Sequence, residues 1–560
     1  MRAKNWLIVL LALLMLSSSV GTLAEAAQNT VQTYTWFIPD TYAQIPPNDA
    51  VVMKQIADLY GVRFERLIPP AEPLERLNIM LATGDLPDLI SFDDVTVMEQ
   101  YKAAGKLLRL NDYLEKYCPE VVSKNFRHIY DRLKDENGDI YYLPQGYNAG
   151  DADDVMAESM TSLTVRTSIF EDSNYTNIPK TLQEYHDLLP LVKEKYPGMA
   201  PVALALGAQG QLNDLIDISA GVWGLVEADD IVLEDGKLIY FAEHPKVKEF
   251  FRFLNNLSLE GYLDIESPIL SREMLKQKCV SGQVWSFFGE SWEIKGEVIA
   301  YEADNGSLEQ MVSLFPKADE TVEKVTYTRS PHNLFATGLA LTTACENPEK
   351  FFEFYAQSNT EEGRLNVLGT TNWHFTGDNT PENTEGYVFI VREDKIQDGL
   401  PKVEFTEWCA EQWGSDENWW WNFGVELMYE FTYVTGQLPD AKYHIIEDDV
   451  SMWWDENTTR IFSAMGWTGK NYFPIQREMW ADTSEFAALH IDPTSNEYAI
   501  HLALTSTVEK LLPRTIMATS PAEFDAAWDT LVQELKNDGL ETYMTKTQEL
   551  YEKRIAIWNQ

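Results

Sequence analysis

The sequence predicts an α/β fold, and three observations carry that prediction. Strand-like and helical runs alternate along the chain. Residues 74–90, LERLNIMLATGDLPDLI, hold one such unit in miniature: an amphipathic helix, a glycine stop, a proline-set turn and the start of a strand. The length of 560 residues exceeds what one hydrophobic core usually serves, so two or more domains are expected.

The elements follow in order. Residues 1–26 read as an export signal. Arg2 and Lys4 give a positive start, residues 7–16 an apolar core, and Ala24-Glu25-Ala26 a small-x-small cleavage site. That apolar run is too short to span a bilayer, and no later stretch is long and apolar enough. No cysteine lies near the cleavage region, so a lipid-attachment signal is not expected. The mature chain is expected outside the cytoplasm, periplasmic or secreted.

Residues 33–38 read as the first strand, with Trp36 near its end, and residues 50–60 as a helix closed by Gly61. Residues 62–67 form the second strand. The helix over 74–83 is expected to bury Leu74, Leu77 and Leu81, and Gly84 takes the left-handed conformation that ends it. Pro87 sets the turn, and a strand runs over 89–92. Asp93 and Asp94 then fall beyond the carboxyl end of that strand, where open α/β sheets hold ligands. Thr181 and Glu184 make a capping box, and Asn347-Pro348-Glu349 opens a further helix. Ser520-Pro521-Ala522-Glu523 starts the clearest helix. Phe524, Trp528, Leu531, Val532 and Leu535 line one face, Trp528 as a core residue, and Gly539 stops it.

The net charge is −44, from 88 acidic and 44 basic residues. A field of that sign argues against nucleic acid and anionic lipid as partners, and weakens an anionic ligand. Cys118, Cys279, Cys345 and Cys409 form no close-spaced metal pair and read as buried small residues, with every disulfide pairing left open. His444 and Glu447 have helical spacing for a metal pair but read as a surface pairing. There is no G-x-S-x-G elbow, H-E-x-x-H, C-x-x-C or G-x-x-x-x-G-K-[ST], so no catalytic signature stands out, and no metal or cofactor is expected.

Six segments, in order, carry a resemblance. They are LNIMLATGDLPDLI within 74–90; DIYYLP at 139–144; Val165-Arg166-Thr167 with 178–185; LNNLSLEGYLDIES at 254–267; residues 346–369 with Asn347-Pro348-Glu349 and Glu361-Glu362-Gly363; and residues 521–551 with Trp528 and Gly539. Together they resemble the extracellular solute-binding proteins of family 1, the carbohydrate type that feeds ABC importers. The resemblance implies a two-lobe periplasmic-binding-protein-like fold of type II with a hinge between lobes. It places residues 27–147 and about 331–372 in lobe 1, and 148–330 and about 373–560 in lobe 2. It also implies a monomer that hands its ligand to permease subunits in the membrane. Some relatives carry a calcium loop after the helix that starts near 181. Here that stretch reads EKYPGMAP at 194–201 and offers only Glu194 as a carboxylate, so no calcium is expected.

Aromatic residues are the positive chemical signal. Nine of the 17 tryptophans lie between Trp408 and Trp480. An indole face stacks on the C–H face of a pyranose ring while carboxylates and amides grip its hydroxyls. Tryptophans beside polar residues in turn-like settings are therefore the candidates. They are Trp36; Trp292 with Glu290; Trp373 with Asn372 and His374; and Trp419 and Trp420 within an acidic, Asn-flanked run. Asp93 and Asp94 are the candidate carboxylates, and Gln145 and Tyr147, just after Leu143-Pro144, are expected to line the hinge. The reading is an exported solute-binding protein, not an enzyme, that closes on an oligosaccharide. The rivals are a secreted glycoside hydrolase, which needs two carboxylates across a scissile bond, and a ligand-binding module of a membrane sensor.

Overall fold

The computed structural model describes residues 31–39, 51–67, 73–92, 95–123, 130, 133–135, 137–144, 161–208, 210–290, 311–329, 338–359, 396–397, 400–401, 456–468, 475, 478–481, 483, 485–486, 489, 491 and 494–558. Buried apolar side chains gather on two separate sheets, each with its own core. The first sheet has the order β2-β1-β3-β13-β4. Its strands are β1 (Gln32–Phe37), β2 (Val62–Leu67), β3 (Leu89–Phe92), β4 (Leu143–Pro144) and β13 (Gly338–Leu341). β1 runs parallel to β2 and β3, while β13 is antiparallel to β3 and β4. The helix Pro348–Ser358 lays Phe351, Phe352, Phe354 and Tyr355 into this core.

The second sheet has the order β11-β5-β10-β6. Its strands are β5 (Thr161–Arg166), β6 (Ala200–Ala203), β10 (Val284–Glu290) and β11 (Met311–Leu314). All six residues of β5 are buried, as in a strand covered on both faces. Strands β7 (Val226–Ala228), β8 (Ile231–Glu234) and β9 (Lys237–Tyr240) form an antiparallel meander beside it, and β12 (Thr328–Arg329) pairs with Trp480–Ala481.

Residues 34–143 and 339–355 supply the first core, and residues 163–327 and 461–543 the second. The chain therefore passes between the cores three times, through residues 145–160, 330–337 and 360–455, which apart from 396–397 and 400–401 lie outside the described residues. Two α/β lobes joined by several crossings are the fold the sequence predicts. Trp558, at the end of the last helix, packs against the first core.

Local signals explain the elements. The Thr181 hydroxyl accepts from the Glu184 amide at 3.1 Å, and the Glu184 carboxylate reaches back to the Lys180 amide at 2.6 Å. The Ser520–Glu523 pair repeats the device, with the carboxylate accepting from the Thr519 amide at 2.8 Å. Gly84 and Gly539 take φ of 75° and 107° at their helix ends. Trp528 is buried and its indole N–H donates to the Ala242 carbonyl at 3.1 Å. The helix Pro73–Thr83 corrects one expectation. Leu77 and Met80 are buried, Leu81 is half-buried, and Leu74 is 53% exposed. The stripe facing the sheet is set by Leu77 and Met80 at i, i+3, so Leu74 one turn earlier opens to solvent.

Cys118, Cys279 and Cys345 are buried and free, and burial pushes each thiol up to about 12. Cys409, His444 and Glu447 lie outside the described residues. Among the described residues no helix is long and apolar enough to cross a membrane.

Candidate functional site

The two sheets turn particular ends toward the crossings. On the first sheet Phe92, the last residue of β3, pairs with Gly338, and Gly338 pairs with Pro144. The first crossing leaves from Pro144 and the second arrives at Gly338, so both meet the sheet beside the carboxyl end of β3. On the second sheet Glu290, the last residue of β10, pairs with Thr161, where the first crossing arrives. Carboxyl ends of strands in both lobes thus border the junction, the usual ligand position in open α/β sheets.

The sequence candidates distribute along these edges. Asp93 and Asp94 follow Phe92, Gln145 and Tyr147 follow Pro144, and all four lie outside the described residues. Glu290 ends β10, with its side chain outside the description, and Trp292 lies beyond it. Asn372, Trp373, His374, Trp419 and Trp420 fall in the third crossing segment, also outside the described residues.

Trp36 is a correction. Its side chain is 0% exposed, its indole N–H donates to the Ser91 hydroxyl at 2.9 Å, and its ring meets Phe64 edge-on at 6.2 Å. Inward and outward positions alternate along β1, and Tyr34 and Trp36 share the inward face. Trp36 is therefore part of the lobe core, with no face open to a solute.

A small recess, with room for about one water molecule, opens on the second lobe, lined by Thr161, Asp217, Leu225, Glu227, Thr326, Tyr327 and Ala481. Thr161 stands where the first crossing arrives, and Thr326 and Tyr327 lie just before the second departs. Glu227 is buried, and its carboxylate accepts from the Asp230 amide at 3.0 Å. Burial, then the charges of Asp230 and Asp229, push its carboxyl well above the usual carboxylate range. Asp230 is pushed up to about 7 by burial and by Asp229. The turn that carries this pair is unusual: Asp229 and Asp230 hold φ of 54° and 67°, a left-handed conformation that aspartate tolerates better than most residues. Among the described residues no group of three metal-ligating side chains comes together.

Sequence reasoning missed this recess. Its residues come from five separate segments, and Asp217 within LNDLIDISAG reads as an ordinary helix acid. Only Asp229-Asp230, between the strand runs Val226–Ala228 and Ile231–Glu234, gives a local turn signal.

No protein-family model matches the chain. It is 26% identical over 239 residues to the fructooligosaccharide ABC transporter substrate-binding protein FusA of Streptococcus pneumoniae serotype 4, covering 40% of this chain and 43% of FusA. It is 22% identical over 254 residues to the polygalacturonan/rhamnogalacturonan-binding protein YtcQ of Bacillus subtilis, covering 44% of this chain and 48% of YtcQ. The matches span a little under half the length of these curated relatives. The fold matches over nearly the whole length. FusA in complex with kestose superposes with a TM-score of 0.60 at 16% identity, covering 94% of this chain and 100% of FusA. A solute-binding protein of Bifidobacterium longum infantis, described as HMO binding and ABC-transporter associated, gives 0.61 at 13% identity, covering 93% of this chain and 98% of that one. The chain thus shares the fold of these solved solute-binding proteins and is similar in sequence, over under half its length, to FusA and YtcQ.

Proposed function

We propose that the protein is the extracytoplasmic solute-binding component of an ABC importer. It takes an oligosaccharide into the cleft between its lobes and delivers it to the membrane permease. The reading is supported most by one observation: the carboxyl ends of β3 and β10 lie where the chain passes between the two lobes. Asp93, Asp94, Gln145 and Tyr147 follow directly on the matching edge of the first lobe. A solute held between these edges contacts both lobes, and contact favours the arrangement that makes more of it. Trp292, Trp373, Trp419 and Trp420 supply the stacking faces, with Glu290, Asn372 and His374 as hydrogen-bonding neighbours. FusA and YtcQ are both named as binding proteins, and the same role here involves no bond making or breaking. Export by the signal at residues 1–26 and action as a monomer complete the proposal.

The test is a thermal-shift screen across neutral and acidic oligosaccharides, followed by calorimetry and by chromatography of the recovered sugar. A melting point raised by at least one oligosaccharide, recovered intact, is the expected result. No shift with any sugar, or recovery of cleaved product, overturns the reading.

A further inference from the structure

The last helix of the chain, Leu540–Trp558, belongs to both lobes. Its first turns are rooted in the second: Leu540 and Tyr543 are buried in that core. Gln548 fastens the middle of the helix to the β8–β9 turn, accepting from the Leu238 amide at 3.0 Å and donating to the Gly236 carbonyl at 3.4 Å. Ten residues on, the ring of Trp558 packs against the core of the first lobe. The Arg554 guanidinium lies 5.9 Å from the centre of that ring. Burial lowers its pKa to about 10.

Tyr142 marks the place. It is three residues before the first crossing segment begins. Its ring lies so close to Gly338 that a Cβ there would come within 2.2 Å of it. Gly338 is in turn the first residue of β13, where the second crossing ends. The tip of the last helix therefore seats on the lobe in which Pro144 and Gly338 pair at the ends of two of the three connections.

We propose that Trp558 and Arg554 are positioning residues, forming a clasp that holds the lobes in the arrangement seen here and sets how readily the cleft changes its opening. A helix rooted in one lobe and seated on the other resists relative rotation by the free energy of its seat. That free energy enters directly into the equilibrium between lobe arrangements, and so into apparent ligand affinity. The effect on affinity rests on the binding reading above; the effect on the lobes does not.

The experiment measures the distance between the lobes without ligand. Labels are placed at Glu75→Cys on the first lobe and Glu534→Cys on the second, both exposed positions, with Cys409→Ser so that only the buried Cys118, Cys279 and Cys345 remain beside them. Distance distributions from pulsed electron spin resonance are compared for the labelled parent, Trp558→Ala and Trp558→Phe. Trp558→Ala is expected to lower the population at the parent distance relative to all others by about tenfold, the equivalent of about 1.4 kcal/mol. Trp558→Phe, which keeps an aromatic face under Arg554, is expected to restore most of it. If Trp558→Ala does not fold, Arg554→Gln serves in its place: it takes the guanidinium from the Trp558 ring without opening the first core, and is expected to shift the distribution in the same direction. Superimposable distributions in parent and folded variant overturn the clasp. Absence of sugar binding with a shifted distribution overturns the binding reading and leaves the clasp standing.

Discussion

Asp88 ties the start of β3 to the middle of β1 through Thr35. One carboxylate oxygen accepts from both the Thr35 amide and its hydroxyl, each at 2.7 Å. The same hydroxyl oxygen accepts from the Asp88 amide at 2.9 Å. This reciprocal lock explains why Asp follows Pro in the segment TGDLPDLI: the turn must end by satisfying backbone groups that the β1–β3 ladder leaves open there. Asp88→Ala strands two donors on β1. It is expected to cost about 2–3 kcal/mol in urea unfolding, and adding Thr35→Val is expected to cost little more. Additive losses from the two substitutions would show that the pair does not act as a unit.

Trp36 provides the second prediction, because its burial separates stability from recognition. Trp36→Phe removes the indole N–H from Ser91 and leaves a void in the first core. A loss of about 1–3 kcal/mol in stability is expected, with sugar affinity in the folded fraction unchanged. A calorimetric titration showing weakened binding at undiminished stability would return Trp36 to the ligand site.

The acidic turn at Asp229-Asp230 gives a pH dependence whose sign can be worked out. Asp230 titrates near 7 in the folded protein, against an ordinary aspartate near 4 in the unfolded chain. Between those values the folded state binds more protons, so stability falls as pH rises from about 4 to about 7 and stays reduced above. Glu227 acts in the same sense, and Asp230 is one of the charges that raise it. Asp230→Asn removes the charge and keeps the left-handed backbone comfortable. The melting temperature is expected to rise by about 2–4 °C at pH 8 and to change little at pH 4. Equal effects at both pH values would show that the carboxyl is not held protonated by its surroundings.

How much of this was legible in the sequence follows from which interactions are local. Helix ends were legible because a cap and its partner are neighbours in the chain, as at Thr181–Glu184, Ser520–Glu523 and Gly539. Strands β2 and β3 were legible to the residue, since Gly61 and Pro87 punctuate them. Which helix face is buried was only partly legible. Leu74 and Leu77 are equally apolar, and tertiary placement alone exposes the first. The role of Trp36 was not legible, because a tryptophan near a strand end suits a cleft or a core equally well until Ser91 is seen to take its N–H. The recess was hidden for the same reason. Asp217 and Glu227 meet only through the packing of a helix against a meander. The bridging by Trp558 depends on where the first lobe lies, which no local pattern records.

Trp373 carries the most direct prediction about the ligand. It closes the run Thr371-Asn372-Trp373, in the segment that links the helix Pro348–Ser358 of the first lobe to the second. A ring on a connecting segment can stack on a sugar held between lobes without belonging to either core, so its truncation separates binding from folding. Trp373→Ala is expected to weaken oligosaccharide binding by about 10–100-fold, or about 1.4–2.7 kcal/mol, with the ligand-free melting temperature unchanged within a degree or two. Trp373→Phe keeps a smaller stacking face and is expected to fall between. Calorimetry on the three proteins with the sugar that gives the largest thermal shift decides the matter. Equal affinities would remove Trp373 from the site and shift the stacking role to Trp292 or to the Trp419–Trp420 pair.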